Sequence, residues 1–243
     1  MKLSVCIPAY NEREIIADAV RTFTSALDII AKDDYELIIC NDGSTDGTDD
    51  IARSMIANYP RLRVVGYPVN RGKGCAVRTA VMEAAGDIIL YTDCDNAYGT
   101  DKIAEVLALF DADPTVDGVI GSRKADPRGY EGYTLIRKLV SKVYIVVLKL
   151  FAGFKMSDSQ CGFKAFRRAA AKDIFSRCET DGFAFDIEAL LIADRLGYKI
   201  KEIPVRVINH RASKSKVSII SDTLRMLRDL RRIKKHVKRC CSR

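Results

Sequence analysis

The sequence predicts an α/β fold: a mostly parallel sheet flanked by helices, followed by a C-terminal amphipathic helix. Two observations carry this. Short apolar strand patterns alternate with helical patterns over the first 122 residues, and helices of such length between strands imply βαβ crossovers and parallel pairing. The polar clusters follow directly on the strand patterns, and open α/β sheets bind ligands outside the carboxyl ends of their strands.

The elements follow in order. Leu3–Ile7 is a short apolar strand, and Arg13–Ile30 carries apolar residues at helical spacing. Glu36–Cys40 is a second strand, followed by the turn-rich NDGSTDGT and a helix reaching about Asn58. Leu62–Gly66, Asp87–Thr92 and Val116–Gly121 are further strands, separated by helices over Gly72–Ala85 and Asp101–Asp111. A loop rich in Pro and Gly begins near Asp126, and a helix is expected over 134–152. Beyond the polar SDSQCGFK lie helical patterns at Arg168–Cys178 and Asp186–Leu196, then a strand or hairpin arm at Lys199–Ile208. The last helix starts at Ile219 and places Ile220, Leu224, Leu227, Leu230, Ile233 and Val237 on one stripe of an otherwise basic surface. The chain therefore divides into a domain over 1–218 and a basic amphipathic helix with its tail over 219–243.

Charge is uneven along the chain. The net charge is +8, yet residues 211–243 hold twelve Lys/Arg against two Asp/Glu, so the rest is close to neutral. A near-neutral body with a basic tail suits an anionic partner. The tail has no interleaved aromatic residues, which argues against nucleic acid. Eight cysteines show no CxxC spacing and read as reduced, mostly buried residues. Cys240 and Cys241 read as two terminal thiols, with lipidation the alternative. No signal peptide is evident, because strand-like residues begin at once. The most apolar stretch, 139–154, is interrupted by Lys142 and Lys149, so no membrane-spanning helix is expected.

Five strand ends carry polar residues in succession: Pro8-Ala9-Tyr10-Asn11-Glu12, Asn41–Asp46, Asn70–Gly74, Asp93-Cys94-Asp95 and Gly121-Ser122-Arg123. Singly each is an ordinary turn. Gly72-Lys73-Gly74 lacks the spacing of a phosphate-binding P-loop. Together the five point to one ligand site. Asp93 and Asp95 flank a small residue, and two carboxylates so close repel unless a cation or a proton lies between them. Hard oxygen ligands suit Mg2+ or Mn2+ shared with substrate phosphates. An isolated DxD would more simply be a solvated acidic turn; its place at a strand end favours the metal.

SVCIPAYNE, NDGSTDGT, NRGKGCAVRTA, DCDNAYG and GSR, in that order, resemble the family 2 glycosyltransferases of GT-A fold, whose sheet is Rossmann-like. SDSQCGFKAF and FAFDIE extend the resemblance to the branch that makes polyprenyl-phosphate sugars, similar to dolichyl-phosphate glucosyltransferases and, next, mannosyltransferases. The resemblance covers roughly residues 1–220. It implies an inverting transfer from a nucleotide-diphosphate sugar, UDP-glucose favoured, to a polyprenyl phosphate. By the same resemblance Pro8, Ala9, Tyr10, Glu12, Asp42, Lys73, Cys94 and Gln160 line the nucleotide sugar. Asp93 lies on the sugar-nucleotide side and Asp95 is the principal metal ligand. Asp158 faces the reaction centre, to position the acceptor or take a proton. Arg123, Arg137, Ser141 and Arg211 match positions near the acceptor phosphate. Ala97 stands where the mannosyl branch has a metal-assisting Gln, a departure that resembles the glucosyl branch.

The lipid acceptor implies a peripheral protein on the cytoplasmic face of a membrane. The 139–154 segment and the apolar stripe of the last helix are the expected contacts with the bilayer, an anionic surface attracting the basic residues. Packing of either helix on the sheet is the alternative. Of the two FAFDIE phenylalanines, Phe183 and Phe185, core packing is expected; for Asp186 and Glu188 surface charge is one of two readings left open. A family 2 transferase with a soluble acceptor, a GDP-mannose enzyme and a non-catalytic sugar-nucleotide or membrane-binding module are the rival readings.

Overall fold

A computed structural model describes residues 2–129, 155–208 and 219–242, with side chains of the last segment from Asp229 onward. The expected helix over 134–152 lies outside the described residues.

Seven strands form one sheet: β1 (Leu3–Ala9), β2 (Tyr35–Asp42), β3 (Leu62–Tyr67), β4 (Ile88–Tyr91), β5 (Gly118–Ser122), β6 (Lys164–Arg167) and β7 (Ile200–Pro204). Their spatial order is β3-β2-β1-β4-β6-β5-β7. Pairing is parallel except at β6, which runs antiparallel to both β4 and β5. The helices are α1 (Ile16–Ile30), α2 (Thr48–Ser54), α3 (Lys73–Glu83), α4 (Asp101–Ala112), α5 (Arg168–Arg177), α6 (Phe185–Leu196) and α7 (Ile219–Cys240).

Alternation along the central strands makes two cores. Leu3, Val5 and Ile7 of β1, with Leu37 and Ile39 of β2, pack on one face with α1 and α4. Cys6, Ile38 and Cys40 point to the other face, against α3, α5, α6 and α7. Both faces being covered, these strands are apolar on both sides, as parallel sheets require. The expected mostly parallel α/β sheet is what forms. All eight cysteines are free, and the first six in the chain are buried. Among the described residues no helix is long and apolar enough to cross a membrane.

Three differences from the sequence reading have physical causes. The first strand continues to Ala9, with Pro8 and Ala9 paired to Cys40 and Asn41. These two residues end the strand and do not form the turn after it. Second, β6 was not expected. It is four residues long and opens on a lysine, so it carries no alternation to recognise.

The third concerns α7. Leu230, Ile233 and Val237 are buried in the core cluster shared with α5 and α6. Their side of the stripe is spent on the protein's own packing, so this part of the helix joins the body. Ile220, Leu224 and Leu227 lie outside the described side chains. Ile233, 1% exposed, offers a test. Ile233→Ala leaves a cavity and is expected to cost about 2–5 kcal/mol, seen as a lower denaturant midpoint. A midpoint unchanged from wild type would mean that α7 does not pack on the body.

Candidate active site

The carboxyl ends of β1, β2, β4 and β5 meet on one rim. After β1, Asn11 takes a left-handed conformation, φ 53°. Its backbone N–H donates to Ser44 Oγ at 3.0 Å, and its side-chain oxygen accepts from Thr45 N at 2.8 Å. Glu12 N donates to Thr48 Oγ1 at 2.8 Å. The first and second polar clusters are thus one interlocked unit, with Tyr10 exposed above the buried Ala9.

Asp42 ends β2 and is buried. Its Oδ1 accepts from Tyr67 Oη at 2.8 Å and from Arg71 N at 2.8 Å. Its Oδ2 accepts from Asn70 Nδ2 at 2.9 Å and from Gly72 N at 3.0 Å. Asp42 therefore fastens the loop that delivers Lys73 to the rim. Gly74 follows because a Cβ there would overlap the Thr180 carbonyl and the Phe185 side chain.

Lys73 forms an ion pair with Asp93. Burial opposes the lysine's charge, but Asp93, Asp186 and Asp95 outweigh it and hold its pKa above the ordinary value. Asp95 lies beyond the small, buried Cys94. Burial, then the charge of Asp93, raise its pKa to about 6, against the pull of Lys73. Glu12 adds to the negative field on Asp95. The turn is tightened by Ala97 N donating to Asp95 Oδ1 at 3.1 Å and by Asn96 at φ 49°.

The SDSQCGFK segment closes the site from β6. A Cβ on Gly162 would overlap the Asp93 carboxylate; glycine leaves that space open. Gly162 N donates to Tyr98 Oη at 3.2 Å, joining this turn to the one after β4. Asp158 grips Arg123 with two parallel bonds, Oδ2 to Nε at 2.7 Å and Oδ1 to Nη2 at 2.8 Å. Burial pushes the Asp158 pKa up, but Arg123 prevails and holds it below the usual carboxylate value. A carboxylate so held is a poor proton acceptor, so positioning is the part of the expected role that remains. Arg123, expected beside the acceptor phosphate, is itself buried and committed to Asp158. Gln160 N donates to Asp158 Oδ1 at 3.0 Å. Arg137, Ser141 and Arg211 lie outside the described residues.

The sequence reading missed a pair beneath the site. Lys164 is 0% exposed. Its Nζ donates to Asp186 Oδ1 at 2.6 Å and to the Cys161 carbonyl. Tyr91 Oη donates to the same Asp186 oxygen at 2.7 Å. Surface charge was one open reading of Asp186; it is buried, paired with Lys164. Glu188 is buried too, accepting from Glu179 N at 3.0 Å and Thr180 N at 2.7 Å. Phe185 packs in the core as expected, whereas Phe183 is exposed. The available signal was a lone lysine inside the apolar CGFKAF, together with an acid opening an apolar helix.

The donor set fits a divalent cation. Asp93 and Asp95 offer hard oxygens, and burial, then the charge of Asp93, raise the Asp95 pKa despite Lys73. Among the described residues no group of three or more His, Cys, Asp or Glu side chains is arranged to hold a metal. Two carboxylates leave the remaining coordination to water or substrate oxygens, the usual arrangement for Mg2+.

The model of glycosyl transferase family 2 matches residues 4–175. The chain is 32% identical to the dolichyl-phosphate beta-glucosyltransferase of Saccharomyces cerevisiae, covering 94% of this chain and 72% of that protein. It is 31% identical to the Drosophila melanogaster protein of the same name, over 85% of this chain and 67% of that one. Among solved structures it resembles glucosyl-3-phosphoglycerate synthase from Mycobacterium tuberculosis, in complex with Mn2+, UDP and phosphoglyceric acid. That likeness has a TM-score of 0.68 at 23% identity, over 99% of this chain and 78% of the other. It shows the shared fold, the GT-A type expected from the motifs.

Two expectations follow from this geometry. Asp95 binds its proton more tightly folded, at about 6, than its ordinary 3.8. Folding stability is therefore lost as pH rises from about 4 through about 6. Metal-free Asp95→Asn escapes that loss. It should melt above wild type at neutral pH and level with it near pH 4; equal melting at both would remove the crowding. Gly162→Ala should displace Asp93 and weaken Mn2+ binding, measured by calorimetry with a nucleoside diphosphate present, by about 10–100-fold. Unchanged affinity would detach the SDSQCGFK turn from the metal site.

Proposed function

This chain belongs to glycosyl transferase family 2, and we propose that it transfers glucose from UDP-glucose to a polyprenyl phosphate of the dolichyl type. The observation that carries this is the meeting of Lys73, Asp93 and Asp95 on the sheet rim. It occurs in a chain similar over most of its length to dolichyl-phosphate beta-glucosyltransferases.

Pro8, Ala9, Tyr10, Glu12 and Asp42 form the nucleotide side of the rim, with Lys73, Cys94 and Gln160 around the diphosphate and sugar. Asp93 and Asp95 would hold Mg2+ or Mn2+. When bound, the ion neutralises charge on the departing nucleoside diphosphate. Lys73, kept protonated by its acidic neighbours, adds a second positive charge at the same place.

The acceptor asks little proton transfer of the protein. The second pKa of a phosphate monoester is about 6, so at neutral pH it is largely dianionic and already a nucleophile. The ionised, arginine-bound Asp158 suits this, since it braces the Ser157–Gly162 turn and abstracts no proton. Arg137, Ser141 and Arg211 are assigned to the acceptor phosphate, where a guanidinium fork matches two oxygens. Orientation and charge stabilisation then do the work. Direct in-line attack inverts the anomeric centre. The acceptor's hydrocarbon stays in a bilayer, so the protein works as a peripheral protein at a membrane's cytoplasmic face.

The test is a panel of UDP-glucose, GDP-mannose and UDP-GlcNAc with short polyprenyl phosphates, scored by product mass. A β-glucosyl polyprenyl phosphate is expected, abolished by chelator and nearly lost in Asp95→Asn. Transfer only from GDP-mannose, or only to soluble sugars, would replace this assignment. Full activity in chelator would remove the metal from it.

A further inference from the structure

We infer that the outward face of α7 is a docking surface for an anionic lipid bilayer, held by charge without insertion. Leu230, Ile233, His236 and Val237 are buried, while Arg231, Arg232, Lys234, Lys235, Lys238 and Arg239 are exposed. At 3.6 residues per turn the six basic residues cover a continuous arc of about 160° along roughly 12 Å of helix. The buried four occupy the rest. No acidic residue interrupts 230–239. Because Leu230, Ile233 and Val237 are held in the core, bringing them into lipid would mean tearing this part of the helix from the body. Positive charge is what this face offers a partner.

The partner follows from that charge and from where the helix ends. Arg177 Nη1 donates to the Cys240 carbonyl at 2.6 Å, and His236 Nδ1 lies 3.2 Å from Glu179 Oε2. Two residues further on, the Asp181 carbonyl accepts from Gly74 N at 2.7 Å, at the start of the helix that carries Lys73. A short run of chain thus connects the end of the basic face to the donor rim. A phosphate on a polyprenyl chain stays with its membrane, so the rim must be brought to the lipid. A basic face beside that rim does this, drawn to anionic headgroups. Nucleic acid carries the same charge, but the face has no aromatic side chain on which bases would stack.

The inference rests on the lipid-acceptor reading, and its test reads binding separately from transfer. The full chain is sedimented with vesicles of phosphatidylcholine alone or mixed with phosphatidylserine. Wild type should bind only the mixed vesicles and be released by added salt, which shortens the screening length from about 8 Å at physiological strength. Each basic residue near such a surface contributes roughly fivefold in affinity. Arg231→Gln/Lys235→Gln/Lys238→Gln, at the middle of the arc, should therefore bind about a hundredfold more weakly. Its melting temperature and its transfer to a short, water-soluble polyprenyl phosphate should match wild type. Ile233→Ala, where still folded, should keep its vesicle affinity.

Triple-variant binding equal to wild type would overturn the inference. So would equal binding to neutral vesicles, tighter binding to RNA than to mixed vesicles at the same salt, or loss of vesicle affinity in folded Ile233→Ala. Vesicle binding without glucosyl transfer would sink the transferase reading alone. Transfer to the short acceptor without vesicle binding would sink the docking face alone.

Discussion

The fully buried ammonium of Lys164 is the constraint around which the site is built. An unpaired charge at that depth would cost several kcal/mol, so the fold must supply partners, and it supplies them from three elements. Asp186 comes from the first turn of α6, its second donor Tyr91 from the end of β4, and the Cys161 carbonyl from the turn before β6. Each partner sits next to a residue of the candidate site. Tyr91 precedes Asp93 by two residues, Cys161 precedes the glycine that lies against Asp93, and Asp186 contributes to the field on Lys73. Replacing such a pair by apolar residues often leaves stability unharmed. What this one supplies is position.

Charge at the rim is distributed unevenly over its acidic groups. Lys73 compensates Asp93, and the field that remains falls on Asp95. Asp158 differs, since Arg123 bonds both of its carboxylate oxygens. On the proposed function this separation divides the work: Asp93 and Asp95 would attend to the donor diphosphate, and Asp158 to the geometry of the segment that closes the site.

The backbone cooperates through close approach. Gly74 lets α3 begin against Thr180 and Phe185, and Gly162 lets β6 enter beside Asp93. The Cys178–Gly182 run that Gly74 touches is also the run fastened by Glu188 and approached by His236 of α7. The C-terminal helix therefore bears on the donor loop through packed and hydrogen-bonded neighbours.

The sequence by itself determined the strand and helix order of the first 122 residues, the mostly parallel sheet, and the five polar strand ends with the DxD among them. These are local signals. Apolar periodicity and turn residues act within a few positions, and the crossover rule for parallel strands needs nothing more. Tertiary structure alone decided what depends on a distant partner. β6 slots antiparallel between β4 and β5, where Lys164 meets Asp186 from some twenty residues later. Arg123 turns inward because Asp158 waits thirty-five positions along the chain. The stripe of α7 reads the same whether it faces lipid or protein; Leu230, Ile233 and Val237 face protein because α5 and α6 present an apolar surface to them. Residue type is written in the chain, but the environment that decides whether a charge is buried or a stripe is covered is assembled only when the elements meet.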